Sequence, residues 1–230
     1  MSYPVLYKDI GLKDYKEVWD YQAKIFNKLV DNKKTLSSAN LPGTLIFVEH
    51  PHVYTLGKSG SENNLLLDHI QLQKKDATYY RIDRGGDITY HGPGQIVGYP
   101  IFDLEIIGMS LKEYIFNLEE AVIRTVADFG ISALRLKGGT GVWLDPETCG
   151  RARKICAIGV KASRYITMHG FAFNVNTDLS YFNAINPCGF TDKGVTSLQK
   201  ELGSRQDFEY MKSKVKSNLQ DIFELEWINI

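Results

Sequence analysis

Residues 81–104 read RIDRGGDITYHGPGQIVGYPIFDL. The two ends are β-type runs, ATYYRID (77–83) on one side and GQIVGYPIFDL (94–104) on the other. Between them lies RGGDITYHGPG, a short polar stretch dense in glycine. Gly85, Gly86, Gly92 and Gly94 remove side chains there, so backbone can lie against a ligand. Arg84, Thr89, Tyr90 and His91 supply hydrogen-bonding groups. No G-x-G-x-x-G occurs, which excludes a Rossmann fingerprint, and no G-K-[ST] follows, which excludes a P-loop. The stretch is either an elaborate β-turn or a binding loop. Arg84 and His91 at its flanks favour the loop.

Outward from this centre the chain is mostly β, framed by helices. TLIFVEH (44–50) and HVYTLG (52–57) precede the loop as short strands around Pro51. ISALRLK, TGVWLD, KICAIGVKA and TMHGFAFNVN follow as further β-type pieces. From Leu12 to Lys33, Tyr15, Val18, Trp19, Ile25, Phe26, Leu29 and Val30 recur at helical spacing. A second helix starts at Ser110, where Ser110 and Glu113 form a capping box. Tyr114, Ile115, Leu118, Val122, Val126 and Phe129 make its stripe, and Gly130 suits its stop. A third helix covers 206–226, with Phe208, Met211, Val215, Leu219 and Phe223 on one face. The order implies an α+β single domain with a mixed β-sheet core flanked by helices and a small C-terminal appendage.

The chain has 230 residues, 43% hydrophobic, which suffices for a substantial core. Lys+Arg and Asp+Glu are both 27, so the net charge is zero, which argues against generic nucleic-acid binding. Three cysteines without a CxxC point to a reduced, intracellular protein. The start has no signal core, and no apolar run approaches a membrane span. A cytoplasmic protein that contacts neither nucleic acid nor membrane is expected. Without coiled-coil heptads, a monomer is expected too.

Three further segments carry chemistry-bearing residues. In GRARKICAIGVKASR (150–164), strict alternation puts Lys154, Cys156, Ile158 and Val160 on one strand face, and Ile155, Ala157 and Gly159 on the other. Lys154 is either a partly buried amine with a lowered pKa, or an exposed strand end. Arg151, Arg153, Lys161 and Arg164 form a local basic patch, either a solvated face or a dock for an acidic partner. In TMHGFAFNVNTD (167–178), Asn174 and Asn176 read as satisfied core polar groups, and His169 as either ligand-facing or structural. In NAINPCGF (183–190), Cys188 sits between Pro187 and Gly189, in turn chemistry rather than an apolar run. It is either a loop cysteine or a thiol presented to a pocket. A nearby cation lowers a thiol's pKa into the working range, and the resulting thiolate is a nucleophile. His50 and His52 flank Pro51, but no third ligand has suitable spacing, so no metal site is expected.

RGGDITYHGPGQIVGYPIFDL, TGVW, KICAIGVK, HGFAFNVNTD and INPCGF together resemble the lipoyl (octanoyl) transferases of lipoate biosynthesis. The resemblance runs from about residue 45 to 200. It implies the fold shared by biotin and lipoate protein ligases. It implies transfer of an octanoyl group from octanoyl-acyl carrier protein to a lysine of a lipoyl domain, through a cysteine thioester and without a cofactor. The acceptors would be lipoyl domains of 2-oxoacid dehydrogenase complexes and the glycine cleavage H protein. Cys188 matches the acyl-carrying cysteine, and Lys154 the lysine that serves it as acid and base. Arg84, Gly85, Gly86, Asp87, Ile88, Thr89, Tyr90 and His91 match the substrate loop. Ala157, Ile158 and Gly159, then Gly170, Phe171 and Ala172, match two further substrate-lining segments. Cys156 departs from the pattern, since a small residue is expected there, and it raises a second thiol as a rival. The alternatives are an ATP-dependent lipoate or biotin protein ligase of the same fold, a non-catalytic acyl-binding protein, and a thiol hydrolase using His91 or His169.

Overall fold

In the computed structural model, residues 2–35, 41–186 and 193–229 are described, apart from the side chain of His69. Strands β1 (Tyr3–Leu12), β2 (Gly43–Glu49), β6 (Gln95–Ile101), β7 (Leu134–Leu136), β8 (Gly139–Leu144), β9 (Arg153–Ser163), β10 (Ile166–Asn174) and β12 (Leu225–Ile228) form one sheet. The order is β12-β1-β2-β6-β10-β9-β8-β7, with β11 (Gly194–Val195) pairing alongside β9. Pairings of β1 with β12 and β2 are parallel, and from β2 across to β7 they are antiparallel. A second sheet holds β3 (Val53–Leu56) between β4 (Thr78–Arg81) and β5 (Ile88–His91).

Helices cover both faces of the large sheet, so its central strands are buried throughout. Every residue of β6 and β10 is buried, as are six of the seven in β2. Helix α1 (Tyr15–Lys34) packs on one face through Val18, Phe26, Leu29 and Val30, against Ile46, Val97, Tyr99 and Ala172. Asp14 caps it by accepting from the N–H groups of Lys16 and Glu17. Two short helices follow along the chain, α2 (His69–Lys74) and α3 (Leu104–Ile107). Helix α4 (Leu111–Ala127) packs on the other face of the sheet. The capping box of Ser110 and Glu113 is made, and the helix stops two residues short of Phe129, with Gly130 at φ +74° beyond it. Helix α5 (Leu198–Leu202) is short, and α6 (Phe208–Phe223) lies against α4. The C-terminal segment is not the appendage its sequence suggests. Met211, Val215, Leu219 and Phe223 belong to the main core, and β12 continues the main sheet.

Between the sheets the glycine-rich stretch crosses from the small sheet to the large one. The Gly85 N–H donates to the Val160 carbonyl oxygen at 2.9 Å. The loop is shorter than its composition suggests, because Ile88–His91 is itself a strand paired with β3.

Candidate active site

β9 does not alternate strictly. Its pairing with β8 sets Val142 opposite Cys156 and Trp143 opposite Lys154, so one extra residue of β9 is accommodated between them. Such a bulge re-aims the side chains beside it. Ile155 and Cys156, adjacent in sequence, both enter the main core at 0% exposure. Lys154 is thereby released from the face of Cys156, where alternation placed it. It lines a cavity of about 510 Å³ instead, together with Ala157 and Gly159.

Antiparallel pairing of β9 with β10 brings the two substrate-type segments side by side. Ala157 faces Ala172, Ile158 faces Phe171 and Gly159 faces Gly170. All six line the same cavity. So do Arg84, Gly85, Gly86, Asp87, Ile88, Thr89 and His91 from the loop. The loop sits close. A Cβ on Gly159 would meet the Gly85 carbonyl oxygen at 2.9 Å, so only glycine leaves room there.

Arg84 is 7% exposed, and its guanidinium donates to the carbonyl and hydroxyl oxygens of Thr55 at 2.8 and 3.0 Å and to the Gly85 carbonyl oxygen at 3.0 Å. It ties the loop to β3. His91 donates from Nδ1 to Gln95 Oε1 at 2.9 Å, Gln95 Nε2 donates to Asn174 Oδ1 at 2.9 Å, and Asn174 Nδ2 donates to the Thr196 carbonyl oxygen at 3.0 Å. Burial drives the His91 pKa down to about 3, so the imidazole is neutral. Tyr90 is turned out of the cavity. Its hydroxyl pairs with His52 Nδ1 at 2.7 Å, and its ring stacks on Tyr181.

His169 also lines the cavity, with Nε2 donating to Asp83 Oδ1 at 3.0 Å. Burial lowers its pKa, and the Asp83 carboxylate opposes that shift. Sequence reading missed Tyr15, Tyr99, Leu111, Ile115, Trp143 and Lys193 on the wall. Tyr15, Tyr99, Trp143 and Lys193 come from separate parts of the chain, whereas Leu111 and Ile115 stand four residues apart on α4, a helical spacing that links them. TGVW, which contains Trp143, is the other local signal.

Cys188, with the rest of 187–192, lies outside the described residues. The rival thiol is described. Cys156 is fully buried, it donates to the Ala157 carbonyl oxygen, and burial raises its pKa strongly. It does not line the cavity. A buried, protonated thiol is a poor nucleophile.

The four cations of 151–164 do not make one patch. Arg153 pairs with Glu201 and Asp145, and Lys161 pairs with Asp83. Arg151 and Arg164 stand beyond opposite ends of the strand, which spans roughly 35 Å at about 3.3 Å per residue. Among the described residues, no helix is long and apolar enough to cross a membrane.

A mixed sheet that opens onto a mostly apolar cavity, walled by a close glycine loop and carrying one amine on a bulged strand, defines an enzyme that handles an apolar ligand. The lipoyl protein ligase A/B catalytic domain family matches residues 14–220. An octanoyltransferase of Parabacteroides distasonis is 56% identical over 94% of this chain and 97% of its own. One from Bacteroides fragilis is 57% identical over 92% and 94%. The chain belongs to the lipoyl protein ligase A/B catalytic domain family and, within it, to the octanoyltransferases. Among solved structures, a lipoate-protein ligase A bound with ATP superposes over 100% of this chain and 89% of its own, with TM-score 0.73 at 14% identity. A biotin protein ligase from Aquifex aeolicus covers 96% and 70%, with TM-score 0.52 at 10% identity. These two likenesses concern the fold.

Proposed function

We propose that the chain, as one catalytic unit over residues 1–230, transfers an octanoyl group from octanoyl-acyl carrier protein to a lysine of a lipoyl domain. The observation that carries this reading is identity above one half, over nearly the whole chain, to octanoyltransferases. The ligase alternative rests on fold likeness at 14% identity or less. The protein acts as a cytoplasmic monomer. Its acceptors are the lipoyl domains of 2-oxoacid dehydrogenase complexes and the glycine cleavage H protein.

The Cys188 thiolate attacks the thioester carbonyl carbon. The bond to the phosphopantetheine sulfur breaks, and the departing thiolate takes a proton from the Lys154 ammonium. The acyl chain lies along β9 and β10, against Ala157, Ile158 and Gly159 and against Gly170, Phe171 and Ala172. The lipoyl-domain lysine then attacks the Cys188 thioester as a neutral amine and gives a proton to Lys154. The carbon–sulfur bond breaks, and the Cys188 thiolate is restored. One thioester replaces another in the first half-reaction, so no nucleotide is consumed. Arg84 and the loop Gly85, Gly86, Asp87, Ile88, Thr89 and His91 close the cavity over the chain. Tyr90 supports that loop from behind.

The test is intact mass after mixing with octanoyl-acyl carrier protein in the absence of ATP, followed by peptide mapping. An octanoyl adduct on Cys188 that a lipoyl domain discharges is expected. An enzyme that acylates the lipoyl domain only with free octanoate and ATP would overturn the reading.

A further inference from the structure

The tryptophan of TGVW, Trp143, packs against the Lys154 amine on the cavity wall. The Lys154 Nζ stands 4.6 Å from the centroid of the Trp143 ring. Trp143 is 2% exposed, and its indole N–H donates to the Gly139 carbonyl oxygen at 3.2 Å, so the ring plane is pinned. The two residues face each other across the bulge. Gly141 guards the aliphatic stem. It sits at φ +118°, and a Cβ there would meet the Cys156 carbonyl oxygen at 2.5 Å and Lys154 Cδ and Cε at 3.5 Å.

We propose that Trp143 is a positioning residue for Lys154, its indole face holding the amine as an ammonium over the cavity wall. This rests on the reading of Lys154 as the acid–base group. The π face of an indole is electron-rich and attracts a cation, most strongly where water is excluded. It accepts no directed hydrogen bond, so the ring itself ties up none of the Nζ protons. An arrangement of carboxylates alone would draw those protons into fixed bonds.

Other charged or titratable groups face the same amine. Glu119 on α4 accepts from the Gly141 N–H at 2.9 Å, with Arg135 of β7 paired behind it at 3.1 Å. Burial raises the Glu119 pKa. Cys156 follows on the same strand, and Lys193 stands on the cavity wall. All of these residues are retained when the indole is replaced.

Trp143→Leu and Trp143→Phe are compared with the wild type by two readouts. The first is the pH dependence of Lys154 acetylation by trace acetic anhydride, followed by mass spectrometry, which needs no catalysis. Loss of the π face should lower the labelling midpoint by about one pH unit in Trp143→Leu, and by less in Trp143→Phe. The second is the rate of Cys188 octanoylation. Its alkaline limb should move to lower pH by the same unit in Trp143→Leu, so that the rate falls about tenfold on that limb and little below it. A labelling midpoint equal to wild type in folded Trp143→Leu, or in Trp143→Phe should the leucine variant not fold, overturns the proposal. A wild type that takes up no octanoyl group overturns the reading of Lys154 as acid–base group, while the labelling midpoint still decides whether the ring holds the ammonium.

Discussion

Two thiols compete on paper for the acyl group, and full burial removes Cys156 from the contest. Cys156→Ala should keep full octanoylation at Cys188, measured by peptide mapping. Loss of one small buried group should cost about 1 kcal/mol, or 2–4 °C in Tm. Lys154→Ala should reduce the octanoylation rate by about 10²- to 10⁴-fold, the range of a lost acid–base group. His91 and His50 make a different case. Burial holds their pKa values at about 3 and about 4, below the unfolded value of 6.5. The unfolded chain therefore binds protons that the folded chain does not. Stability is complete above pH 6.5 and is lost as pH falls from there toward 4, by up to about 1.4 kcal/mol per pH unit for each histidine. Thermal unfolding followed across that window should show a steadily falling midpoint, and His91→Asn should shallow the slope. The sequence raised His91 as a site residue, but not its neutrality. That follows from Tyr15, His50 and Gln95 closing around it from three other elements.

Elements were legible where one period governed them. The stripes of α1 and α4 and the Ser110 capping box can be read directly, because helix ends are local. Ser110→Ala should cost about 1 kcal/mol. The bulge in β9 was not legible, since strict alternation assigned Lys154 to the face of Cys156. Whether a strand holds an extra residue depends on its neighbour's register, which the strand's own residues do not encode. The loop's approach to β9 is likewise a property of two elements. Gly159→Ala forces the Gly85 carbonyl oxygen away from 2.9 Å, and this opens the loop. The expected result is a raised KM for the octanoyl donor with a smaller change in kcat, measured by steady-state transfer to a lipoyl domain.

For the whole molecule, the first twelve residues decide more than their composition suggests. Pro4, Lys8, Asp9 and Gly11 blur the β pattern of Tyr3–Leu12, so the sequence marks no strand there. Yet β1 lies inside the sheet, paired with β2 on one side and β12 on the other. Tyr3 and Val5 are buried in the main core, and the Tyr3 hydroxyl accepts the Asp103 N–H at 3.0 Å, which fixes the start of α3. Strand β12 is an edge. It contributes Leu225 to the core, and Trp227 meets Tyr7 edge to face with its N–H donating to Gln220. The two ends of the chain are therefore unequal in consequence. Removing residues 1–12 strips two strand pairings, since β12 loses its one partner among the described residues, and it uncovers several large side chains worth roughly 2–3 kcal/mol each. That sum approaches the whole stability of a typical domain. Removing residues 226–230 takes an edge strand and leaves Leu225 in place. Circular dichroism melts should show no cooperative transition for the first truncation. The second should melt cooperatively at a lower temperature, with octanoyl transfer retained, because among the described residues the cavity wall takes none from β12. A cooperative melt without residues 1–12 would mean that β2 can close the sheet alone, and would move the anchor of the fold from β1 to the α4–α6 layer.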